Sequence, residues 1–510
     1  RAATAATLLP SMRQYAPRGT SLVRMDELRE RLAEVADLER VSMLMAWDQE
    51  VCMPPAGSEA RGELRATVGR LAHERFTDAR VGELLAEAAP RDELEADIVR
   101  VARRDFDKAV RVPGELVAEM ARAGVAARGA WMQAREANDF APFAPYLERN
   151  VELRRRYSAC FPGAAHPYDP LLDDYEPGMT TAEVRDALLR LRDGLVPLVA
   201  VAPEIDDALL RVGPFPEAGQ RALLGTVLRA IGVDEEQWRL DEATHPFEAT
   251  IAMTDVRLTT RYDETDMDSL YSSLHEFGHG LYEHQVDPAL ERTPLAGGAS
   301  SAWHESQSRL WENMVGRSGG FWRWCLPHAQ AALPERFGGV TWQEVQRAAN
   351  AVRASFIRVS ADEVTYGLHI ALRFELELAL IEGDLAVADL PAAWNERMQS
   401  YLGLDVPDDV HGVLQDIHWA EGAFGYFPTY AVGNVIAGQV WARVTAELPD
   451  LDERFAAGEF APLREWLAEN VHRLGRRHLT TEMLERVVGG GLDPAPYLAY
   501  LEAKSTHQHS

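Results

Sequence analysis

Residues 274 to 279 read Leu274-His275-Glu276-Phe277-Gly278-His279 and contain an H-E-x-x-H pattern. On a helix, two histidines at positions i and i+4 lie on one face and can bind one Zn²⁺ ion. Glu276 is then expected to act as general base on a water bound to that ion. Because the pattern arises by chance in roughly a few per cent of chains this long, the surrounding sequence has to support it independently.

The sequence around the motif favours a helix. Leu274, Phe277 and Leu281 recur at helical spacing and supply the apolar side of an amphipathic helix. We expect Asp266 or Asp268 to cap its N-terminus. The structural context that the motif requires is therefore predicted.

A catalytic zinc site needs a third protein ligand beside the two histidines. Tyr282 and Gln285 stand where an H-E-x-x-H-x-x-G-x-x-H pattern requires Gly and His, so that layout is excluded and His284 is expected at the surface. Glu305, within Trp303-His304-Glu305-Ser306-Gln307, begins a second amphipathic helix, as in a His₂Glu site. The alternative is that Glu305 caps its own helix while the two histidines are core residues.

Helical periodicity dominates the rest of the chain. Apolar residues recur at spacings of three and four over 84–112, 115–137, 181–200, 219–232, 343–382 and 430–447. Strand-like alternation is scarce, and Phe247, Ala249, Ile251 and Met253 give its best example. The sequence therefore predicts a mainly α fold with a small β element before the H-E-x-x-H helix.

The two ends of the chain differ in composition from the middle. Residues 1–24 contain four Arg and no Asp or Glu, and we expect them to be a leader or upstream extension outside the fold. Residues 502–510 are expected to form a disordered tail. Residues 25–501 then form a single catalytic unit, in which the Pro- and Gly-bearing breaks within 162–216 could separate two lobes that line a groove.

Charge and cysteine usage restrict the partners and the compartment. The formal net charge of -28 over 510 residues argues against nucleic acid or an anionic membrane, because the general field repels both. The three cysteines are scattered and odd in number, which fits the reducing cytoplasm. No apolar run approaches the roughly 20 residues that span a bilayer. We expect a cytoplasmic protein without a membrane or nucleic-acid partner.

From about Met25 to Leu501 the sequence resembles the thermostable carboxypeptidase family, also called the carboxypeptidase Taq family. The resemblance rests on separate motifs that occur in order along the chain. These motifs are His245-Pro246-Phe247, Asp255-Val256-Arg257-Leu258-Thr259, His275-Glu276-Phe277-Gly278-His279, His304-Glu305-Ser306-Gln307, Ile357-Arg358-Val359-Ser360-Ala361-Asp362 and Gly412-Val413-Leu414-Gln415-Asp416-Ile417-His418-Trp419.

The resemblance implies a single-metal carboxypeptidase that releases C-terminal residues from peptides with broad specificity. It also implies an almost wholly helical fold with a long deep groove, and a homodimer. Carried over residue by residue, it assigns His275, His279 and Glu305 to the metal and Glu276 to the general base. Motif spacing and family resemblance therefore lead to the same four residues.

A carboxypeptidase also needs a fixed cation for the terminal carboxylate of its substrate, and a guanidinium binds that group through two parallel hydrogen bonds. The resemblance assigns this role to Arg358. We expect Asp362, one turn later, to hold the Arg358 side chain in place. Without the family, a structural ion pair between these two residues is the simpler interpretation.

Other site residues are predicted with less support from the sequence. Tyr430 is a candidate donor to the oxyanion that forms when water attacks, and His418 is a second catalytic candidate. His245 is a candidate for substrate binding. For each of these, packing in an aromatic-rich segment is the alternative. We interpret Asp255 and Arg257 as support that orients the ligands or walls the groove.

Two other functions remain open from the sequence. A zinc endopeptidase or oligopeptidase would share the His₂Glu chemistry but would have no need for Arg358. A non-enzymatic helical scaffold would hold a structural metal or none. We expect one divalent ion per chain, with Zn²⁺ first and Co²⁺ or Mn²⁺ as the other candidates, because cellular supply as well as affinity decides occupancy.

Overall fold

The structure, a computed structural model, describes residues 18–507. The first helix, α1 (Arg18–Val51), contains the expected boundary at Met25. The last helix, α22 (Ala495–His507), includes most of the expected tail. Residues 1–17 of the expected leader and residues 508–510 of the expected tail lie outside the described residues.

A long run of helices follows α1 and precedes the sheet. These helices are α2 (Ser58–Phe76), α3 (Ala79–Ala86), α4 (Glu93–Arg111), α5 (Gly114–Ala137), α6 (Ala144–Ala159), α7 (Asp169–Leu172), α8 (Thr181–Val201), α9 (Ala208–Arg211) and α10 (Glu217–Ile231). Three predicted helices are confirmed as α5, α8 and α10. The helix predicted over 84–112 is two helices, because Asp92 starts α4 by accepting a hydrogen bond from the backbone N–H of Glu95.

The small β element is a three-stranded sheet of β1 (Trp238–Glu242), β2 (Glu248–Ala252) and β3 (Asp255–Thr260). The strand order is β1-β3-β2, with β1 parallel and β2 antiparallel to β3. In the predicted strand, Ala249 and Met253 are buried, whereas Phe247 and Ile251 are half-buried. The prediction of a short β element before the motif helix is confirmed.

The helices after the sheet carry most of the predicted site residues. These helices are α11 (Asp268–His284), α12 (Ser301–Arg309), α13 (Gly319–Ala332), α14 (Pro334–Phe337), α15 (Trp342–Ala349), α16 (Glu363–Glu382), α17 (Leu390–Leu402), α18 (Phe427–Glu447), α19 (Leu451–Ala456), α20 (Ala461–Asn470) and α21 (Thr480–Val488). A π-helical segment, Leu310–Val315, directly continues α12. The sheet packs against α11, so it supports the motif helix from one side.

The single helix predicted over 343–382 is wrong. Helix α15 ends at Ala349, and α16 begins at Glu363 after an irregular stretch. The side chain of Asp362 accepts hydrogen bonds from the first backbone N–H groups of α16, which fixes that start. The apolar residues before it pack against the core without helical backbone, so periodicity alone misled the prediction.

The buried apolar residues form two cores. The larger core extends from Ala127 to Leu501, and Val151 and Leu223, on either side of the expected break at 162–216, both belong to it. The smaller core joins α1, α3 and α4 to Met253 and to the segment after α11. The chain is 67% helical, so the mainly α prediction is confirmed. In the part of the chain that the structure describes, we find no helix long and apolar enough to cross a membrane.

Candidate active site

Helices α11 and α12 cross closely at the H-E-x-x-H motif. Gly278 faces the backbone of α12, where an added Cβ atom would lie 2.4 Å from the carbonyl oxygen of Gln307. Any larger residue would push the two helices apart. The crossing places the imidazoles of His275 and His279 on α11 beside the carboxylate of Glu305 on α12.

The geometry of these three side chains fits one divalent cation. Their ligand atoms all lie within 4.8 Å of one another. Oε2 of Glu305 is 3.7 Å from Nε2 of His275 and 3.5 Å from Nε2 of His279. Donors placed tetrahedrally at about 2.0–2.1 Å from Zn²⁺ lie about 3.4 Å apart. Small side-chain adjustments therefore suffice for a zinc-sized ion.

Glu305 is held towards the histidines by its surroundings. Ser300 caps α12 by accepting a hydrogen bond from the backbone N–H of Trp303, so the alternative in which Glu305 caps its own helix is wrong. Gly433 of α18 packs directly against the Cβ and Cγ atoms of Glu305. Burial works to raise the pKa of Glu305, but the guanidinium of Arg309 and the two histidines outweigh it and hold that pKa well below its usual range.

Glu276 lies between the two histidines on α11 and is buried. Burial raises its pKa to about 7, with His275 opposing the rise and the carboxylate of Glu305 adding to it. A carboxylate with a pKa near neutrality both accepts and returns a proton with little free-energy cost. Glu276 is therefore suited to the general-base role predicted for it.

A second carboxylate and a guanidinium support the predicted ligands, and the sequence analysis missed both. Oε2 of Glu312 lies 3.0 Å from Nδ1 of His275. Arg309 donates from Nε to Glu305 at 2.7 Å and from Nη1 to Glu312 at 3.1 Å. The i,i+4 spacing from Glu305 could have indicated Arg309. Glu312 is seven residues after Glu305 and three after Arg309, so helical spacing could have indicated it as well, although its backbone is π-helical.

Arg358 lies in a 3₁₀ turn, Arg358–Ser360, between α15 and α16. The expectation that Asp362 holds its side chain is wrong, because Asp362 caps α16. Arg358 instead donates to Oδ1 of Asp416 from Nε at 3.0 Å and from Nη2 at 2.9 Å. A third N–H, on Nη1, donates to the hydroxyl of Tyr366 at 3.2 Å.

The surroundings of Arg358 carry more positive than negative charge. Arg373, fully buried, donates from Nε to Oδ2 of the same Asp416 at 2.7 Å. Burial lowers the pKa of the neighbouring His418 to about 4, so its imidazole is neutral at neutral pH. Two guanidiniums therefore share one carboxylate. Since a guanidinium has five N–H donors and these contacts use three, Arg358 retains capacity for a further anionic group.

Comparison with known proteins decides the family. The family model described as "Carboxypeptidase Taq (M32) metallopeptidase" matches residues 27–505. The chain belongs to this family. It is a metallocarboxypeptidase, as the family resemblance in the sequence implied, and its substrates are peptides. Membership also implies a divalent metal ion.

Relatives cover nearly the whole of this M32 chain. It is 41% identical to thermostable carboxypeptidase 1 of Thermus thermophilus, covering 92% of this chain and 96% of that protein. It is 37% identical to carboxypeptidase 1 of Bacillus subtilis, covering 93% and 96%. The solved M32 carboxypeptidase of Deinococcus radiodurans superimposes with a TM-score of 0.92 at 42% identity, covering 96% of this chain and 99% of the other.

The structure brings two further predicted residues of the carboxypeptidase next to Arg358. The hydroxyl of Tyr430, in the first turn of α18, lies 3.3 Å from Nε2 of His418. The guanidinium of Arg358 lies 5.0 Å from the centre of the Tyr430 ring. Tyr366 connects this group to the metal ligands, because the Arg309 guanidinium lies 4.3 Å from the centre of its ring. The predicted metal and substrate residues of this carboxypeptidase thus belong to adjoining clusters.

In the described part of the chain, no hydrogen bond or ring contact joins three other predicted residues of the carboxypeptidase to the proposed ligands. His245 is exposed on the loop between β1 and β2. Asp255 and Arg257 pair with each other through two hydrogen bonds of 2.9 Å. The Arg257 guanidinium also stacks on the ring of Trp47, 4.3 Å from its centre. This pair therefore joins α1 to the sheet, and its expected role in orienting the ligands or walling the groove stays a prediction.

Two local predictions around the motif helix of the carboxypeptidase are also wrong. His284 is half-buried, with Nδ1 2.7 Å from the carbonyl oxygen of Met253, because the sheet covers that end of α11. Neither predicted aspartate caps α11. The N-cap position is Met267, and Asp266 instead accepts a hydrogen bond from the backbone N–H of Asp268 at 3.0 Å.

Proposed function

We propose that His275, His279 and Glu305 hold the catalytic metal ion and that this ion is Zn²⁺. Two imidazole nitrogens and one carboxylate oxygen form the donor set of many catalytic zinc sites, and their separations suit that ion. Co²⁺ and Mn²⁺ remain the other candidates, because imidazole and carboxylate ligands accept both.

In this proposal Glu276 transfers the proton of the reaction. A divalent cation in the site supplies Lewis-acid activation of water and of the scissile carbonyl. Glu276 removes a proton from the attacking water and returns it to the leaving amine. Its buried position beside the two histidines and its raised pKa support both transfers.

We assign the substrate's terminal carboxylate to Arg358. The observation that carries this assignment is the buried cluster of two guanidiniums, Arg358 and Arg373, around the single carboxylate of Asp416. An unmatched buried cation is costly in free energy, and an incoming carboxylate balances it. An endopeptidase substrate brings no such group to the site, so the cluster favours release of C-terminal residues.

Tyr430 and His418 complete the proposed site. Tyr430 is half-buried, and a tyrosine hydroxyl near the substrate carbonyl can donate a hydrogen bond to the developing oxyanion. The neutral imidazole of His418, 3.3 Å from that hydroxyl, can orient it. His245 stays a prediction, since in the described part of the chain no hydrogen bond or ring contact joins it to the metal ligands. Broad specificity, a homodimer and a cytoplasmic location also stay predictions.

The test uses one N-terminally blocked peptide as its free acid and as its C-terminal amide, with products followed by mass. We expect stepwise loss of C-terminal residues from the acid only. Glu276→Gln keeps the shape of the side chain and should lower kcat by about 10²–10⁴-fold. Glu235→Gln, at an exposed position, is the matched control and should leave kcat unchanged.

Two results would contradict the proposal. Equal internal cleavage of the acid and the amide would indicate an endopeptidase and would leave Arg358 a structural residue. Full activity of Glu276→Gln would remove Glu276 from the reaction and would require another base.

A further inference from the structure

The two histidines proposed as metal ligands are supported by different groups. Nδ1 of His275 faces the carboxylate of Glu312 directly. Nδ1 of His279 instead lies 2.5 Å from Nδ1 of another imidazole, that of His304. Behind it, Nε2 of His304 lies 2.9 Å from Oε1 of Glu283. The second histidine is therefore connected to a carboxylate through an additional ring.

This arrangement fixes the proton positions along the chain of three residues. The Nε2 atom of His279 faces Glu305 and is the proposed ligand atom, so its Nδ1 carries the hydrogen and donates to His304. Nδ1 of His304 must then be an unprotonated acceptor. The single hydrogen of a neutral His304 therefore sits on Nε2, from which it donates to Glu283.

The surroundings hold His304 and Glu283 in these positions. His304 neighbours Glu305 on α12, so one short helix supplies both a proposed ligand and the support of another. The His304 ring lies between His279 and Tyr282, with ring centres 4.6 Å and 5.7 Å away. Glu283 also accepts a hydrogen bond from the backbone N–H of Gly298 at 3.0 Å. Packing and hydrogen bonds thus leave the His304 ring little freedom to turn.

Glu283 faces a cavity as well as His304. Its side chain lines a cavity of about 250 Å³ between α1 and the segment that follows α11. Arg40, Arg476 and one further carboxylate, Glu39, line the same cavity. The two guanidiniums and the partial exposure of Glu283 reduce the cost of keeping it ionised, as an acceptor for His304 requires.

We propose that His304 is a positioning residue of the metal centre: it holds the ring of His279 in the tautomer and orientation that bind the metal, and Glu283 fixes the tautomer of His304. The proposal rests on the proposed function, in which His279 is a ligand. Because the support passes through a neutral imidazole, it needs a nitrogen at position 304 and not only an aromatic ring.

The experiment measures the Zn²⁺ dissociation constant of the full chain by competition with a chromogenic chelator. His304→Phe keeps the ring and removes both nitrogens. We expect it to weaken Zn²⁺ binding by about 10–100-fold and to change the visible spectrum of the Co²⁺-loaded protein. Its metal-free melting temperature should stay close to that of the wild type. Glu283→Gln keeps an acceptor and loses the charge, so we expect a smaller loss in the same direction.

The matched control is His284→Phe, at a histidine that is half-buried on the same helix as His279 and whose Nδ1 lies 2.7 Å from the carbonyl oxygen of Met253. It should leave the dissociation constant unchanged. An unchanged constant for His304→Phe, or an equal loss for His284→Phe, would overturn the proposal. If His304→Phe does not fold, the Glu283→Gln variant provides the test. An unchanged Zn²⁺ dissociation constant and an unchanged Co²⁺ spectrum in that variant would also overturn the proposal.

His279→Ala separates this proposal from the proposed function. If His279→Ala binds Zn²⁺ as tightly as the wild type, the ligand assignment fails. If His279→Ala loses Zn²⁺ while His304→Phe and Glu283→Gln retain it fully, the ligand assignment holds and only the positioning role of His304 fails.

Discussion

The metal end and the arginine end of the site have opposite imbalances of buried charge. At the metal end, the carboxylates of Glu276, Glu305 and Glu312 surround two histidines. The guanidinium of Arg309 pairs with Glu305 and Glu312, and that of Arg317 pairs with Glu312. At the arginine end, two guanidiniums share one carboxylate. Buried unmatched charge costs stability, so neither end is arranged for stability alone. In the proposed function, each end takes a partner of the opposite sign, a metal cation at one and a substrate carboxylate at the other.

The pKa shifts agree with this comparison. Burial opposes ionisation of Glu312, but Arg309 and His275 outweigh it and lower its pKa to about 2, so it is charged at neutral pH. Burial likewise opposes ionisation of Asp416, but Arg373 and Arg358 hold its pKa well below the usual range. Both carboxylates therefore carry full charge. Two guanidiniums lie at each end, so the difference between the ends is the number of carboxyl groups, three at the metal end and one at the arginine end.

Removal of the metal should have the largest effect on peptide hydrolysis, and it should leave binding at the arginine end unchanged. We expect a chelator to abolish peptide hydrolysis and to lower the melting temperature, because a ligand present at 1,000 times its Kd contributes about 4 kcal/mol. Zn²⁺, and then Co²⁺ or Mn²⁺, should restore activity. The metal-free chain should still bind a peptide acid more tightly than its amide, measured by calorimetry. Full hydrolysis by protein shown to be metal-free would contradict the comparison.

Arg358→Met should have the second largest effect and should act at the arginine end. It removes the cation proposed for the substrate carboxylate, so kcat/KM for the peptide acid should fall by about 30–4,000-fold, equivalent to roughly 2–5 kcal/mol. Metal content should not change. The free energy of unfolding, from urea titration, should fall by less than about 1 kcal/mol, because Arg373 and Asp416 remain as a balanced pair.

Asp416→Asn is the matched control for Arg358→Met, since it removes the only carboxylate between the same two guanidiniums. It should lower the free energy of unfolding by about 3–5 kcal/mol, because the two buried guanidiniums lose the carboxylate that they share and keep only neutral hydrogen-bond acceptors. Equal loss of stability in the two variants would mean that Arg358 and Asp416 form an ordinary structural pair. The excess of guanidiniums would then no longer support binding of the substrate carboxylate.

Glu312→Gln should have a smaller effect at the metal end. The amide retains an acceptor for Nδ1 of His275 but loses the charge that strengthens this hydrogen bond. We expect Zn²⁺ affinity to fall by about 10-fold, with kcat restored once Zn²⁺ is in excess. Chelator competition measures the affinity. A selective loss of kcat at saturating Zn²⁺ would instead place Glu312 in the reaction.

The sequence predicted the metal end better than the arginine end, and the reason is the range of the contacts. His275 and His279 lie one turn apart on one helix, so local periodicity was sufficient to bring them together. Glu305 needed the resemblance to the family as well as the spacing. The role of Arg358 in binding the substrate carboxylate stays a prediction, and its partner was taken to be Asp362 because the helix was assumed to continue through 350–362.

Contacts that depend on how helices cross were not predictable from the chain. Glu312, in the π-helical segment after α12, lies on the same face as Glu305 by spacing, but its contact with His275 depends on how this segment crosses α11. His304 meets His279 only because Gly278 lets α11 and α12 approach. The way two helices cross leaves no periodic signal in the sequence, so spacing and resemblance led to the proposed ligands but not to the residues that contact them across the crossing.

Substitution of Tyr366, which lies between the two ends, should have the smallest effect on substrate binding. Its hydroxyl accepts a hydrogen bond from Arg358 at 3.2 Å, and its ring contacts the Arg309 guanidinium. Tyr366→Phe keeps the ring and removes only the hydroxyl, so it should loosen Arg358 and leave Arg309 in place. A net hydrogen bond is worth about 0.5–1.5 kcal/mol, which gives a rise in KM for the peptide acid of about 2–10-fold. Zn²⁺ affinity should not change.

A comparison with Tyr175→Phe makes this last prediction specific. Tyr175 is a second tyrosine of the aromatic group, with its ring packed on Tyr426 at 5.0 Å between centres. Loss of its hydroxyl should leave both KM and Zn²⁺ affinity unchanged. If Tyr366→Phe weakened Zn²⁺ binding as much as substrate binding, the two ends would be coupled through Arg309, and their opposite charges would have to be treated as one electrostatic unit.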